Sequence, residues 1–241
     1  LVRRWCDVSA SRYICLSNAH MVMECYDHDE FRTVVNEADL VTADGVSVKW
    51  ASRWLGSRGQ RRVCGPDLTI RICEMAAQEG IPVGFYGSTP KVVGALLRNV
   101  TARFPALNVA FCHAPPFRLL TIEEDDPIVC RINEAGVRIL FVGLGCPKQE
   151  RWMAAHRGRV FATMVGVGYA FDVLAGGTRR APVWVQNIGM EWVVRLVLNP
   201  RRLWRRYLKH NSRFIILVLR QLFQQRLVPA VKLRLRRCLQ V

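Results

Sequence analysis

No stretch of the 241-residue chain approaches the roughly 20 consecutive apolar residues that span a bilayer. The longest run, Phe214-Ile215-Ile216-Leu217-Val218-Leu219, is far shorter, so no segment is expected to cross a membrane. The opening Leu1-Val2-Arg3-Arg4-Trp5-Cys6 has neither Met nor the charged, apolar, small-residue progression of a secretory leader. The expectation is a chain without a leader, whose natural start, an opening strand and part of a helix, lies outside this sequence. The 9 cysteines contain no CxxC pair, which points to reduced thiols in a cytosolic protein rather than a disulfide framework. The 5 histidines form no HxxxH or HExxH array, so a zinc site is not expected. A P-loop, a GxSxG elbow and a Ser/His/Asp arrangement are missing too. Low-complexity tracts are also absent, and with 51% hydrophobic and 22% charged residues the composition is that of a folded protein, one large domain or a domain with an appendage.

Acid is scarce at one end. Residues 1–172 hold 20 Lys/Arg against 18 Asp/Glu, whereas residues 173–241 hold 15 against the single Glu191, so nearly all of the net charge of +16 sits in the tail. A tail of that sign attracts phosphate-rich partners: nucleic acid, anionic lipid head groups or a diphosphate-bearing substrate.

Apolar, β-rich runs recur at Arg12–Asn18, Ala38–Ala43, Ile81–Tyr86, Leu107–Cys112, Arg138–Val142 and Val160–Val165. Helical patterns lie between them at about 19–37, 45–55, 66–79, 89–104, 121–135 and 147–157. This alternation predicts an α/β fold, a Rossmann-like, mostly parallel sheet with helices on both faces. Ligands in such sheets bind beyond the carboxyl ends of the strands. After about residue 183 the pattern becomes helical only, at Trp184–Leu198, Pro200–His210 and Ser212–Arg226, with Asn199 as a cap before Pro200. The chain therefore divides into a core over 1–183 and a basic, helical, membrane-associating appendage over 184–241. Its stripe Phe214, Leu217, Val218, Leu222 and Phe223 suits packing on the core, on a partner chain or in a membrane interface.

Four segments that follow strands carry the unusual polar residues: Ser17-Asn18, Ala43-Asp44-Gly45, Arg61–Leu68 and Val142–Glu150. Asp44, a carboxylate directly after a buried strand and followed by Gly, is a candidate general base; capping the helix that starts at Gly45 is the plainer role, and the two are compatible. Gly143-Leu144-Gly145 fails as a dinucleotide fingerprint because Lys148 stands where the third Gly belongs, and Gly166-Val167-Gly168 fails with Phe171 there. What remains after Gly145 is a glycine turn feeding a helix start at Pro147, Lys148 and Gln149, a generic diphosphate cradle or a simple connection. Asp27-His28-Asp29 spells a metal-binding DxD but follows a helical stretch and caps the next. Glu123-Glu124-Asp125-Asp126 is read as a solvated first helical turn, favourable to the dipole.

The segments ADLVTADGVSVKWASRWLG, RRVCGPDLTIRICEMAAQEGIPVGFYG, ILFVGLGCPKQERWMAAHRGRV, VGVGYAFDVLAGGTRRAP and EWVVRLVLNPRRLWRRYL, in this order, resemble the WecG/TagA/CpsF glycosyltransferases, glycosyltransferase family 26. The likeness runs from about residue 12 to 210. It implies transfer of an N-acetylmannosamine-type sugar or glucose from a UDP donor to a polyprenyl-diphosphate-linked acceptor, with inversion, in bacterial surface or exopolysaccharide synthesis. It also implies a Rossmann-like core whose carboxy-terminal appendage engages an anionic membrane surface and completes the active site.

Through the resemblance Asp44 takes the place of the catalytic base, able to accept the acceptor hydroxyl's proton as the new bond forms. Asn18, Arg62 and Gln149 fall at positions of the substrate pocket and Asp172 lies in the family's signature region; with them Gly65, Asp67, Gly145 and Lys148 are taken as substrate-binding residues. Arg195, Arg202 and Arg205 match appendage arginines that would stabilise the departing diphosphate in place of a metal. Leu16 stands where many members carry Thr, which moves or removes a pocket hydroxyl. The implied protein needs no cofactor or metal, forms a possible homo-oligomer, binds no nucleic acid and sits peripherally on the cytoplasmic face of the membrane. Two other classes compete: a nucleic-acid-binding protein using the basic tail, which leaves the Gly-rich turns without a task, and an inactive membrane scaffold.

Overall fold

The computed structural model describes residues 1–241 except 7–9, 58, 60, 179–180, 188, 199 and 239–241; the side chains of 183, 187, 195, 198, 202–203, 205–206 and 225–238 also lie outside the described set. In chain order the elements are α1 (Val2–Cys6), β1 (Arg12–Ser17), α2 (Ala19–Asp27), α3 (Asp29–Asn36), β2 (Leu40–Ala43), α4 (Val46–Trp54), α5 (Gly65–Glu79), β3 (Val83–Gly87) and α6 (Pro90–Arg103). There follow β4 (Val109–His113), α7 (Ile122–Glu134), β5 (Ile139–Gly143), α8 (Lys148–Ala155), β6 (Thr163–Gly166), α9 (Ala170–Leu174), α10 (Val183–Asn187), α11 (Glu191–Leu198) and α12 (Pro200–Cys238).

The strands form one sheet in the order β2-β1-β6-β5-β3-β4, and every neighbouring pair is parallel. Alternation along each strand sorts the core into two layers. Ile14, Leu16, Phe85, Ile139, Phe141 and Val165 face one side with Ile72, Leu96 and Phe171 of α5, α6 and α9. Tyr13, Cys15, Tyr86, Leu140, Val142 and Met164 face the other with Met21, Phe31, Ile132 and Met153 of α2, α3, α7 and α8. A sheet covered on both faces must be apolar on both, which is why β3 and β5 read as unbroken apolar runs. Gly87 lies so close to β5 that a Cβ there would sit 2.6 Å from the Gly143 carbonyl carbon.

The helices differ from the sequence reading in three places. The 19–37 pattern divides at His28, which is extended (φ −134°, ψ 105°) and serves as the C-cap of α2 and the N-cap of α3. Trp184–Leu198 divides into α10 and α11, where Gly189 takes a positive φ of 78°. Conversely, 200–210 and 212–226 are one continuous helix, because neither Gly nor Pro separates His210 from Ser212. The Asn199 cap lies outside the described residues.

A third apolar cluster joins this last helix to the core. Phe214 and Val218 of α12 are buried against Ala19 and Met23 of α2 and Ala51 of α4, with Leu217 and Leu222 beside them. Arg213 adds a two-pronged ion pair to Asp27, at 2.8 and 2.6 Å. Thus part of the stripe is spent on the core, while Phe223 remains 66% exposed. Among the described residues no helix is long and apolar enough to cross a membrane.

Candidate functional site

Because the sheet is parallel, the carboxyl ends of all six strands share one edge, which is where sheets of this kind bind ligands. Asn18 ends β1 and caps α2, its Oδ1 accepting from Met21 N–H at 3.2 Å. Asp44 and Gly45, after β2, both donate their N–H to the Ser17 carbonyl, at 2.8 and 3.3 Å. The two strand ends are thereby stitched together, and a Cβ on Gly45 would stand 3.4 Å from Asn18 Cα.

Asp44 does not cap its own helix. Gly45 is the N-cap of α4 and makes no side-chain bond there. Instead Asp44 Oδ1 accepts from Gly65 N–H at 3.2 Å, at the first residue of α5. The carboxylate therefore sits at the positive end of a neighbouring helix. The segment between is held by Val63 N–H donating to the Ala43 carbonyl at 2.9 Å, so the chain runs parallel to β2 for one further residue pair, Ala43 with Arg62.

Arg62 is spoken for by the protein itself. Its Nε donates to the Asp44 carbonyl at 2.8 Å, and its Nη2 donates to Glu191 Oε2 at 2.5 Å and to Cys64 Sγ at 3.6 Å. Both members of the ion pair are largely covered, with side chains 18% and 11% exposed. Glu191 opens α11, so a single guanidinium ties the appendage to the backbone of the candidate base. Sequence reasoning assigned Glu191 no role, although the one acidic residue in so basic a tail was itself the signal.

The turn after β5 depends on Gly145, whose φ is +83°, and on a cis Cys146–Pro147 peptide. Gln149 is buried behind it: Oε1 accepts from Gly145 N–H at 3.1 Å and Nε2 donates to Glu150 Oε1 at 2.7 Å. It also fills the space beside Gly166 and Gly168, where any Cβ would come within 3.1 Å of its amide. The structure thus uses Gln149 as a brace for the turn. Lys148, in the opening turn of α8, is exposed and rests its Nζ 4.0 Å from the Phe117 ring centroid. Gly65 abuts the loop after β6, where a Cβ would meet the Val167 carbonyl at 3.3 Å, and Asp67 is exposed in the first turn of α5. Asp172 is half-buried in α9, its carbonyl accepting from Gly177 N–H at 3.0 Å. The side chains of Arg195, Arg202 and Arg205 lie outside the described residues.

Other polar groups have structural duties. Asp27 of the DxD spelling pairs with Arg213, and the acidic run at 123–126 does more than face solvent. Glu124 closes a capping box with Thr121 and binds Arg118, which holds its carboxyl down to about 2. Asp125 binds His156 Nε2 at 2.7 Å. The described cysteines are free thiols. Burial pushes Cys73 up to about 12, and burial with the Glu150 charge pushes Cys25 up to about 11.

A carboxylate oriented by a helix start, beside a Gly-rich turn that feeds another helix, lies at the carboxyl edge of a doubly covered parallel sheet, the place where α/β folds bind their ligands. The profile of the WecG/TagA/CpsF glycosyl transferase family matches residues 1–228, and the chain belongs to that family; it is a hexosyltransferase. An N-acetylglucosaminyldiphosphoundecaprenol N-acetyl-beta-D-mannosaminyltransferase of Bacillus spizizenii is 29% identical over 204 residues, covering 84% of this chain and 77% of the relative. A protein of the same name from Staphylococcus aureus (strain NCTC 8325 / PS 47) is 31% identical over 194 residues, 80% of this chain and 74% of the relative.

Proposed function

We propose that this glycosyltransferase moves an N-acetylmannosamine-type sugar or glucose from a UDP donor to a polyprenyl-diphosphate-linked acceptor, with inversion and without a catalytic metal, in bacterial surface or exopolysaccharide synthesis. The names of the two relatives, which describe transfer to an undecaprenyl-diphosphate-linked sugar, support the acceptor class. The observation that carries the chemistry is Asp44, fixed between Asn18 and the start of α5 at the sheet's carboxyl edge.

In this reading the Asp44 carboxylate accepts the proton of the acceptor hydroxyl as its oxygen bonds to the anomeric carbon. The bond from that carbon to the UDP oxygen breaks on the opposite face, and its electron pair leaves with the diphosphate. The charge that develops is met by Lys148 in the opening turn of α8 and by the tail arginines Arg195, Arg202 and Arg205. Asn18, Gly65, Asp67, Gly145 and Asp172 shape the pocket, and Arg62 and Gln149 act on substrate through the walls they hold. The appendage covers the site from the membrane side, with exposed Trp184, Trp204, Leu208, Ile216, Leu219 and Phe223 facing the lipid interface on the cytoplasmic leaflet.

The test is transfer from labelled UDP-sugars to a polyprenyl-diphosphate acceptor in detergent, with Mg²⁺ and Mn²⁺ withheld. Turnover with one donor is expected, and Asp44→Asn should lower kcat by about 100 to 10,000-fold, the usual worth of a general base. Undiminished turnover in Asp44→Asn would remove the base from the scheme.

A further inference from the structure

One cluster of metal-ligating side chains takes no part in the site described above. His20 and Glu24 stand one helical turn apart on α2, a spacing that puts both on one face. Across from them His210 of α12 sets its ring edge-on to that of His20, with centroids 4.7 Å apart at 83°. His20 Nε2 is 3.3 Å from Glu24 Oε1, and one donor atom from each of the three residues lies within 4.8 Å of the others. His210 is buried, and the side chains of His20 and Glu24 are only 13% and 19% exposed. His28, 3.9 Å from Glu24 Oε2, flanks the cluster at its exposed rim.

We propose that His20, Glu24 and His210 bind a divalent transition metal, Zn²⁺ foremost, which fastens the appendage helix α12 to α2. Two imidazoles and one carboxylate form a donor set suited to Zn²⁺, with solvent as the fourth ligand. Bonds of about 2.0–2.2 Å in a tetrahedron place donors roughly 3.4 Å apart. The His20–Glu24 pair already meets that separation, and His210, whose donor atom lies within 4.8 Å of theirs, would have to close in. Pairs of ligands one turn apart, completed from a facing helix, are how helical bundles build such sites. The placement gives the ion a task. His20 is two residues beyond the pocket residue Asn18, and the same two helices are already joined by the Arg213–Asp27 pair and by Phe214 and Val218. A metal here would fix the tail against the helix that begins in the pocket wall.

The full chain, stripped with chelator and then freed of it, is titrated with Zn²⁺ by calorimetry and with Co²⁺ by visible absorption, alongside Glu24→Gln, His210→Ala and the distant control His113→Ala. The expected result is one ion per chain, cobalt bands of four-coordinate nitrogen and oxygen ligation, and a higher melting temperature with metal. Affinity should fall at least about 100-fold in both cluster variants, beyond the upper end of what losing an outer-shell partner costs, and hold in the control. Circular dichroism identifies a variant that has not folded, and Glu24→Gln, nearly isosteric, keeps the comparison sound. No stoichiometric binding by the parent chain overturns the assignment. So does binding that survives both cluster changes, including a thiolate-to-cobalt band that places the ion on cysteines.

Discussion

Replacing Glu191 by Ala should loosen the appendage and disable the site together. The change leaves the Arg62 guanidinium covered by protein without its counter-charge, while its Nε still holds the Asp44 carbonyl. Removing one partner of a fully buried ion pair costs about 3–5 kcal/mol. With side chains 18% and 11% exposed, some solvent reaches this pair, so about 2–3 kcal/mol is the reasonable figure. For a chain of this size that corresponds to a fall in melting temperature of about 4–12 °C. The assay is calorimetric unfolding of the parent, Glu191→Ala, Arg62→Met and the double variant. The double variant should recover most of the lost stability, since an apolar pair replaces a buried ionic one at little cost. It should not recover sugar transfer, because Arg62 Nε no longer positions the Asp44 backbone. A Glu191→Ala protein that melts within about 1 °C of the parent, well inside the predicted shift, or a double variant as weak as the sum of the singles, would refute the clasp.

Glu124 should titrate at about 2 by carboxyl-resolved NMR, and Arg118→Ala should move it back toward the ordinary carboxylate range. Its folded value is depressed, so the stabilisation it supplies is complete above the unfolded carboxyl pKa and fades as pH falls from about 4 toward 2. A titration unmoved by Arg118→Ala would remove that pair as the cause. Among the described cysteines, in mild alkylation near neutral pH exposed Cys130 should react before Cys15 and Cys73, which should react only on unfolding because burial raises both buried thiols; early labelling of Cys73 detected by peptide mapping would contradict the packing. Deleting residues 211–241 should release the protein from anionic liposomes in a flotation assay, and retained binding would refute the tail as the membrane contact.

The strands were legible because each carries a dense apolar run between turn residues: the Arg12–Asn18 expectation became β1 at Arg12–Ser17, and Arg138–Val142 became β5 at Ile139–Gly143. The all-parallel sheet followed from the alternation with helices. The strand order did not, since pairing β6 between β1 and β5 is a non-local choice without a local signature. The periodicity runs on through His28, but the Asp27-His28-Asp29 run marked the boundary, and His28 is the cap between α2 and α3. Asp44 was singled out from its place after a strand, yet its hydrogen-bond partner lies on α5, twenty-one residues away, where capping rules read only the adjacent helix. The roles of Glu191, and of His20 with His210, arise from contacts between distant segments. Single-sequence motifs describe ligands spaced along one stretch, and these are not.

Among the described strands, the one latest in the chain, β6, is the third in the sheet. Until β6 has left the ribosome, β1 and β5 have no neighbour on their facing edges, and the nascent chain carries an open slot through its middle. Before β6 is in place, the sheet exists only as two separate parts, β2-β1 and β5-β3-β4. The sheet is continuous only once β6 joins β1 to β5, and α12 then lies on α2 and α4 beside it.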